Sequence, residues 1–256
     1  MGIRTYVVTG AASGIGAATA DHLEKGGERV IRCDVRDADV TADLTTPPGR
    51  ERLASEVTAV SDSRINGLIA VAGSAVPSPL TARLNFFGTI ATLESLRPLL
   101  AGSDQPRAVA VSSLSAIVAA DDTIVDACLS MDEEAAVAAV TAAVAAGRGR
   151  IVYPSTKLAL NRWLRRAAVS PAWAEAGIPL NAVAPGVVDT ETARTMFLDD
   201  PATRALVSSM MPQPLGFPGP VSAIVSLLAW TVSPDNLFMT GQILYADGGA
   251  EATLRP

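Results

Sequence analysis

The sequence has few of the side chains on which hydrolases and metal proteins depend. Its 256 residues include two cysteines, Cys33 and Cys128, and one histidine, His22. The cysteines lie far apart and neither has a C-x-x-C partner, so the pattern predicts no zinc site and no disulfide framework, and it fits a reducing cytoplasm. A single histidine, on the first predicted helix, argues against Ser-His-Asp hydrolysis and His-based metal sites. We therefore expect a cytoplasmic protein without a metal site.

Long runs of one charge and long apolar runs are missing as well. The formal net charge is −6, and no stretch of Lys and Arg exceeds Arg165-Arg166, which argues against nucleic acid or anionic membranes as partners. The apolar run from Ala135 to Ala146 is shorter than the roughly 20 residues that span a bilayer. The opening stretch, MGIRTYVVTG, enters a strand pattern without the apolar segment of a signal peptide. We predict a soluble protein that binds neither nucleic acid nor membrane.

The composition and the order of the apolar segments predict an α/β fold. Apolar residues make up 49% of the chain and charged residues 18%, which favours one compact domain over residues 1–256. Short β-branched runs alternate with helical stretches, and this alternation indicates a parallel sheet with helices on both faces. We predict a single-domain, doubly wound, Rossmann-like fold. The predicted strands cover residues 5–9, 29–33, 67–72, 107–112, 179–184 and 242–246.

Two regions interrupt the alternation. Residues 116–150 form an insertion with one or two predicted helices, the second of which has Ser130 or Asp132 as its N-cap and Gly147 as its stop. Residues 191–219 are rich in proline and large apolar side chains, and they are typical of a mobile lid over a substrate. An apolar lid suits a bulky hydrophobic ketone or sterol, although a plain core or interface role for its side chains is the alternative. The apolar side chains are Met196, Phe197, Leu198, Met210 and Met211.

The N-terminal stretch VVTGAASGIGAA indicates a phosphate-binding turn between a strand and a helix. Gly10, Gly14 and Gly16 allow a tight turn, and the N–H groups of the helix that follows can face an anion. Asp34 ends the second predicted strand, where a carboxylate accepts hydrogen bonds from ribose hydroxyls and repels a 2′-phosphate. The pattern favours NAD over NADP, although Arg32 and Arg36 are near enough in sequence to accommodate that phosphate.

The stretch YPSTK places a phenol four residues before an ammonium group. On a helix, Tyr153 and Lys157 would share one face, with Cβ atoms about 5–6 Å apart. The spacing alone does not distinguish an acid/base pair from two ordinary helix residues, so its meaning depends on the rest of the chain.

Four motifs, in order and over nearly the whole chain, resemble those of the short-chain dehydrogenase/reductase family. They are Thr9-Gly10-x-x-x-Gly14-x-Gly16, Tyr153-x-x-x-Lys157, Pro185-Gly186 with Thr190, and the terminal TGQILYADGG. Within the family, the stretches ASGIGAAT and NFFGT and the long insertion are most similar to the bacterial 3α-hydroxysteroid dehydrogenase/carbonyl reductase subgroup. The resemblance implies an NAD-dependent oxidoreductase that interconverts a hydrophobic secondary alcohol and a ketone.

The resemblance implies that Tyr153 is the general acid/base. A free phenol has a pKa near 10, and this pKa must fall before Tyr153 can accept an alcohol proton. Lys157 and the positive nicotinamide of NAD⁺ both favour the phenolate, which explains the spacing of the pair. Lys157 would also hold the nicotinamide ribose.

Two further catalytic residues are implied. Ser113 would donate to the carbonyl oxygen of the substrate as charge develops there, although Ser112 and Ser115 leave the register open. Asn85, in RLNFFGT, would hold a water of a proton relay to the lysine through its backbone or its side chain.

The implied cofactor site follows the glycine-rich turn and the loops after later strands. Asp43 would contact the adenine amino group, Leu44 would lie beside the base, and Thr190 would bond the nicotinamide carboxamide. The implied cofactor residues are Gly10, Ser13, Gly14, Ile15, Gly16, Asp34, Val35, Asp43, Leu44, Ala72, Gly73, Tyr153, Lys157, Pro185, Gly186, Val188 and Thr190.

The chain departs from the family's pattern in three places. Ala70 and Val71 replace the two asparagines that usually brace the central strand. Pro154 follows Tyr153 and disfavours helical backbone there, although proline is tolerated in a first helical turn. The third departure is the insertion. Because it could cover the helix faces on which family members form tetramers, we expect a homodimer built on other surfaces.

Two other functions fit part of the pattern. A nucleotide-sugar epimerase or dehydratase shares the Tyr/Lys pair, but the short chain and the glycine spacing disfavour it. An NAD-binding regulator without turnover would fit a chain that had lost its tyrosine, and here Asn85, Ser113, Tyr153 and Lys157 are all present.

Overall fold

A parallel β-sheet forms the centre of the computed structural model, which describes residues 2–256. Within that range seven strands form one sheet, and every neighbouring pair is parallel. The strands are β1 (Thr5–Thr9), β2 (Arg29–Asp34), β3 (Val40–Thr41), β4 (Gly67–Ala70), β5 (Arg107–Val111), β6 (Leu180–Pro185) and β7 (Ile243–Ala246). Their order is β3-β2-β1-β4-β5-β6-β7, so the direction of winding reverses between β1 and β4. This is the doubly wound fold that the sequence predicts.

Helices connect the strands and cover both faces of the sheet. Three of them are short, and several are extended by 3₁₀ or π turns. The α-helices are α1 (Gly14–Lys25), α2 (Pro47–Val60), α3 (Pro79–Ala82), α4 (Thr89–Ala101), α5 (Asp122–Leu129), α6 (Glu133–Ala145), α7 (Val152–Ala167), α8 (Glu191–Ala193), α9 (Pro201–Met210), α10 (Val221–Thr231) and α11 (Ala250–Leu254).

Successive residues of the strands point to opposite faces and build two cores. Val7 and Leu68 belong to the larger core, and their neighbours Val8 and Ile69 belong to the second. All four are fully buried. Because both faces of the sheet are covered, most strands are apolar on both faces. These apolar runs are the sequence pattern that predicts the strands. The two-residue strand β3 escaped prediction because Val40 and Thr41 form no run.

The helix before the fifth strand is interrupted by a π-helical segment. Segment Arg83–Gly88 joins α3 to α4 and carries Asn85, which is fully buried. Single π turns inside helices occur frequently at functional sites.

The insertion contains two α-helices, α5 and α6. Asp132 is the N-cap of α6, since its carboxylate accepts from Ala135 N at 2.9 Å, whereas Ser130 ends α5. Of the two N-caps considered, the structure selects Asp132. Helix α5 packs against α7, and α6 packs against α5 and α3.

The described residues were also searched for membrane spans and metal sites. Among residues 2–256, no helix combines the length and the apolar character needed to cross a bilayer. The same residues contain no group of three or more His, Cys, Asp or Glu side chains that could hold a metal ion.

Candidate active site

A cleft opens at the carboxyl ends of the strands, where the winding reverses between β1 and β4. In open α/β sheets this crevice is the usual ligand site. Its volume is about 410 Å³, within the range of small-molecule and cofactor sites. Residues that the sequence predicts for the cofactor and that line the cleft are Gly10, Ser13, Gly14, Ile15, Gly16, Asp34, Val35, Leu44, Ala72, Gly73, Tyr153, Lys157 and Thr190.

The turn from β1 into α1 requires glycine at two positions. A Cβ on Gly16 would lie 2.1 Å from Gly10 O, and a Cβ on Gly10 would lie 2.9 Å from the backbone of Ala72. Gly10 also has a φ of 68°, which favours glycine. The first turn of α1 begins at Gly14 and carries no charged side chain. Its N–H groups, with the Ser13 hydroxyl at the cleft, fit a pyrophosphate.

The carboxylate of Asp34, at the end of β2, bonds to the backbone of this turn. Its Oδ2 accepts from Ala12 N at 2.9 Å, and its Oδ1 accepts from Val35 N at 2.7 Å. Arg32 is engaged elsewhere, because its guanidinium pairs with Asp21 and Glu24 on α1. One of the two candidate partners of a 2′-phosphate is thus tied to two carboxylates.

Asp43 differs from the other predicted cofactor residues. It is exposed, and its carboxylate accepts from the backbone N and the hydroxyl of Thr45 at 2.9 and 2.7 Å. The cleft is lined instead by its neighbours Ala42 and Leu44. The predicted contact of Asp43 with adenine stays a prediction.

Tyr153 and Lys157 share one face at the start of α7. The helix begins at Val152, so Pro154 falls within the first turn, where a missing N–H costs nothing. Lys157 Nζ lies 5.7 Å from the centre of the Tyr153 ring and donates to Val111 O at 2.8 Å. The ammonium therefore reaches from α7 to the end of β5, beside the phenol.

Burial acts on the pKa values of this pair in opposite directions. Burial lowers the pKa of Lys157 to about 8, which leaves the ammonium mostly protonated at neutral pH. Burial raises the pKa of Tyr153, and a hydrogen bond from Ser113 opposes the rise. Desolvation is thus the larger of the two effects on the pKa of Tyr153.

Three serines follow β5, and each has a different environment. The hydroxyl of Ser113 acts to lower the pKa of Tyr153. Ser112 instead donates to Asn161 Oδ1 at 2.6 Å, and Ser115 N donates to Ser113 Oγ at 3.1 Å. All three line the second cavity, but the geometry favours Ser113 as the partner of the phenol.

The side chain of Asn85 is committed to protein atoms. Its Oδ1 accepts from Ser74 N at 2.8 Å, and its Nδ2 donates to Ser74 O and Thr156 Oγ1 at 2.8 and 3.2 Å. A Cβ on Gly73 would lie 3.2 Å from Asn85 Oδ1 and 3.6 Å from Lys157 Nζ. Asn85 Oδ1 and Lys157 Nζ therefore both lie close to Gly73.

A second cavity of about 350 Å³ adjoins the cleft. Its inner wall includes Ser113 and Tyr153, and its lining is mostly apolar. Met210 is exposed, and Leu198 is buried in a small core beneath the lid. The predicted residues that line this cavity from the lid and from the loop after β6 are Met196, Phe197, Met211, Pro185, Gly186, Val188 and Thr190.

Sequence reasoning missed several residues of the site. Thr192 lines both the cleft and the second cavity, and its position two residues after Thr190 was the available signal. Gln213 is buried near the end of the lid, accepts from Val187 N and donates to Val187 O and Gly216 O at 3.2 and 3.1 Å. No local motif marks such a contact between distant segments.

Comparison with known proteins agrees with this geometry. A family model described as enoyl-(acyl carrier protein) reductase matches residues 10–251. The chain is 34% identical over 254 residues to a 3-alpha-hydroxysteroid dehydrogenase/carbonyl reductase of Comamonas testosteroni, covering 98% of this chain and 97% of that protein. It is 30% identical over 272 residues to a tropinone reductase homolog of Arabidopsis thaliana, with 96% and 92% covered. The solved 3-alpha-hydroxysteroid dehydrogenase of Pseudomonas sp. B-0831, complexed with NADH, matches with a TM-score of 0.88, 33% identity and 98% of each chain covered.

Proposed function

Because the chain belongs to the short-chain dehydrogenase/reductase family of oxidoreductases, we propose that it interconverts a hydrophobic secondary alcohol and a ketone, using NAD(H). The observation that carries the proposal is the position of Tyr153. The phenol lines both the cleft and the apolar cavity, shares the wall of that cavity with Ser113, and lies beside Lys157. A group that transfers a proton to a substrate beside a nicotinamide needs this location.

Each polar residue of the site has a distinct role in this proposal. Ser113 donates to the carbonyl oxygen, where negative charge develops during reduction. Tyr153 gives its proton to that oxygen, or accepts one from the alcohol in the reverse direction. Bound NAD(H) would supply or accept the hydride. Lys157 stabilises the phenolate that remains.

Asn85 acts through its backbone in this proposal. Its side-chain amide is occupied by Ser74 and Thr156, so its carbonyl is the better candidate to hold a water beside Lys157. A relay of this kind would return a proton to the buried pair.

NAD(H) is favoured over NADP(H) by the charge at the ribose end of the cleft. Asp34 lies there as a carboxylate fixed by two backbone N–H groups, and a 2′-phosphate would be repelled. The ion pairs of Arg32 support the same preference.

The apolar cavity supports a bulky substrate with one reacting oxygen. The curated relative is named as a 3-alpha-hydroxysteroid dehydrogenase and carbonyl reductase, and we extend this substrate class to the present chain. A lining of Met196, Phe197 and Met211 can adapt to a rigid ring system.

The first test is NADH formation from NAD⁺ with 3α- and 3β-hydroxysteroids and simple secondary alcohols, with NADP⁺ in parallel. We expect turnover with NAD⁺ and a 3α-hydroxysteroid. In Tyr153→Phe, kcat should fall by about a hundred-fold or more, because the general acid is lost. NADH binding should persist.

Tyr245→Phe is the matched control, since this phenol lies on β7 and packs beside Arg255. The control should retain full activity. If the wild-type protein binds NADH yet oxidises no alcohol and reduces no ketone, the proposed reaction is wrong and a regulator that binds the cofactor is the better reading.

A further inference from the structure

One side chain, Arg50, joins three segments around the cofactor cleft. Its Nη1 and Nη2 donate to the two carboxylate oxygens of Glu133 at 2.6 and 3.1 Å. Its Nε donates to Leu44 O at 2.8 Å, and its Nη2 also donates to Arg83 O at 3.2 Å. The side chains of Arg50 and Glu133 are only 13% and 23% exposed. A bidentate, mostly buried pair of this kind is stronger than an ordinary surface ion pair.

The three segments have different origins in the chain. Leu44 follows β3 and lines the cleft at the end that contains Asp34. Arg83 opens the π-helical segment of Asn85, and its neighbour Leu84 lines the same cleft. Glu133 is the first residue of α6, in the insertion.

These contacts fix the distance between two walls of the cleft. The backbone of Leu44 also approaches Gly88 closely, since a Cβ there would lie 2.9 Å from Leu44 O. Leu44 O therefore lies between the π-helical segment and the Arg50 guanidinium. Glu133 neutralises that guanidinium, and Arg83 Nε approaches the same carboxylate at 3.8 Å.

We propose that Arg50 and Glu133 are positioning residues through which the insertion shapes the cofactor site. The carboxylate of Glu133 holds the guanidinium of Arg50, and Arg50 holds the backbone at Leu44 and at Arg83, whose neighbour Leu84 lines the cleft. The insertion thus contributes to cofactor affinity without touching the cofactor. The inference rests on the proposed function only in that the cleft binds a nicotinamide dinucleotide.

The test compares Glu133→Ala with Glu56→Ala. Glu56 forms an ion pair with Arg52 on the same helix as Arg50, but that pair is more exposed, at 58% and 38%, and spans one helical turn. Binding of NADH and of ADP-ribose is measured by fluorescence and calorimetry without substrate. We expect Glu133→Ala to weaken both ligands by about ten-fold, since it leaves Arg50 with an unpaired charge. Glu56→Ala should leave both affinities unchanged.

Kinetics separate positioning from a general loss of structure. With Glu133→Ala, KM for NAD⁺ should rise while kcat at saturating NAD⁺ stays near the wild-type value. The variants Arg50→Ala and Arg50→Ala/Glu133→Ala complete a double-mutant cycle, in which the two losses should be far from additive.

Three results would overturn the inference. They are NADH and ADP-ribose affinities in Glu133→Ala within two-fold of those in Glu56→Ala, additive losses in the cycle, and a fall in kcat without a change in KM. Wild-type protein that binds NADH but has no turnover contradicts the proposed reaction alone, because the binding test still applies. Wild-type protein that binds neither ligand contradicts both.

Discussion

Lys157 combines a charge with nearly complete burial, and its bonded partner is a neutral carbonyl, Val111 O. A protein pays for such a group in stability, because the ammonium loses its hydration on folding. The position beside Tyr153, the proposed general acid/base, gives the charge a role in the proposed function. A strained group of this kind is expected where function, and not stability, determines the residue.

The stability of the cofactor-free protein should therefore depend on Lys157 and on pH. The folded pKa of about 8 lies below the ordinary value of 10.5, so the unfolded chain binds the proton more tightly. The loss of folding stability caused by the buried ammonium is fully present below pH 8, and it decreases as the pH rises from about 8 toward 10.5. At pH 7 we expect the free energy of unfolding of Lys157→Met to exceed that of the wild type by roughly 3 kcal/mol. This difference in unfolding free energy should be smaller at pH 9.5. Urea unfolding at several pH values measures it.

The chain offers a direct control, because Lys25 is its other lysine and is exposed. Lys25→Met should leave the unfolding free energy nearly unchanged at every pH. A gap for Lys157→Met that is independent of pH would contradict the proposed penalty and would indicate a packing effect.

The sequence predicts the pair Tyr153 and Lys157 because its spacing is local, whereas Ser113 is implied only by the resemblance to the family. It does not predict the raised pKa of Tyr153, because burial depends on elements that are distant in the chain. Asp43 illustrates the same limit. Its neighbour Leu44 faces the cleft, while the Asp43 carboxylate caps a turn with Thr45. The sequence shows which residue types are present, but it does not show which of these side chains face the cleft.

At the scale of single elements, the lid has one face toward the substrate cavity and one toward solvent. Val207 on α9 and Met211 directly after it line the cavity, whereas Leu206 and Met210 are exposed. The lid returns to the body through Gln213, which pairs with both backbone groups of Val187 in the loop after β6. Gln213 thus fixes the lid relative to the loop that leads to Thr190, the residue predicted to bond the nicotinamide carboxamide.

Gln213→Met should loosen this attachment, because methionine has a similar size but neither donates nor accepts as an amide does. We expect KM for the ketone to rise by about ten-fold, with a smaller change in NADH affinity. Steady-state kinetics and NADH titration measure the two effects. Gln242→Met is the control, since Gln242 is exposed in the turn before β7, and equal effects in both variants would contradict the assigned role of Gln213.

The longer strands and the insertion were predictable at this scale, and some elements were not. Strands β1, β5 and β6 are mostly apolar, and their predicted boundaries agree with the structure within one residue. No local sequence signal marks the π-helical segment around Asn85, whose side chain bonds to Ser74 and Thr156 in other segments. The choice of Asp132 over Ser130 as N-cap depends on where α5 ends, which packing against α7 determines.

At the scale of the whole molecule, the insertion covers surface that would otherwise be free. Helices α5 and α6 pack on α7 and α3. The exposed apolar side chains Leu237 and Phe238 lie elsewhere, in the loop before the edge strand β7. A largely exposed phenylalanine beside an open sheet edge is typical of a contact with another copy of the chain.

We therefore expect a homodimer that includes the edge of β7. Sedimentation should give a dimer for the wild type and a shift toward monomer for Phe238→Asp, because the new charge would be desolvated in the contact. Val169→Asp is the control, since this residue is 68% exposed just after α7. A tetramer built on α4 and α7 would contradict the prediction.

The attachment of the lid also has a consequence for the order of synthesis, because the lid is held by loops near the end of the chain. Gln213 binds the loop after β6, and Leu215 N donates to Gly248 O, in the loop after β7, at 3.0 Å. During synthesis the glycine-rich turn and the strands beside it emerge first, whereas β6 and β7 emerge last and join a parallel sheet whose distant pairings form slowly. The glycine-rich turn that would cradle a nucleotide is therefore synthesised well before the segments that would close over a ketone.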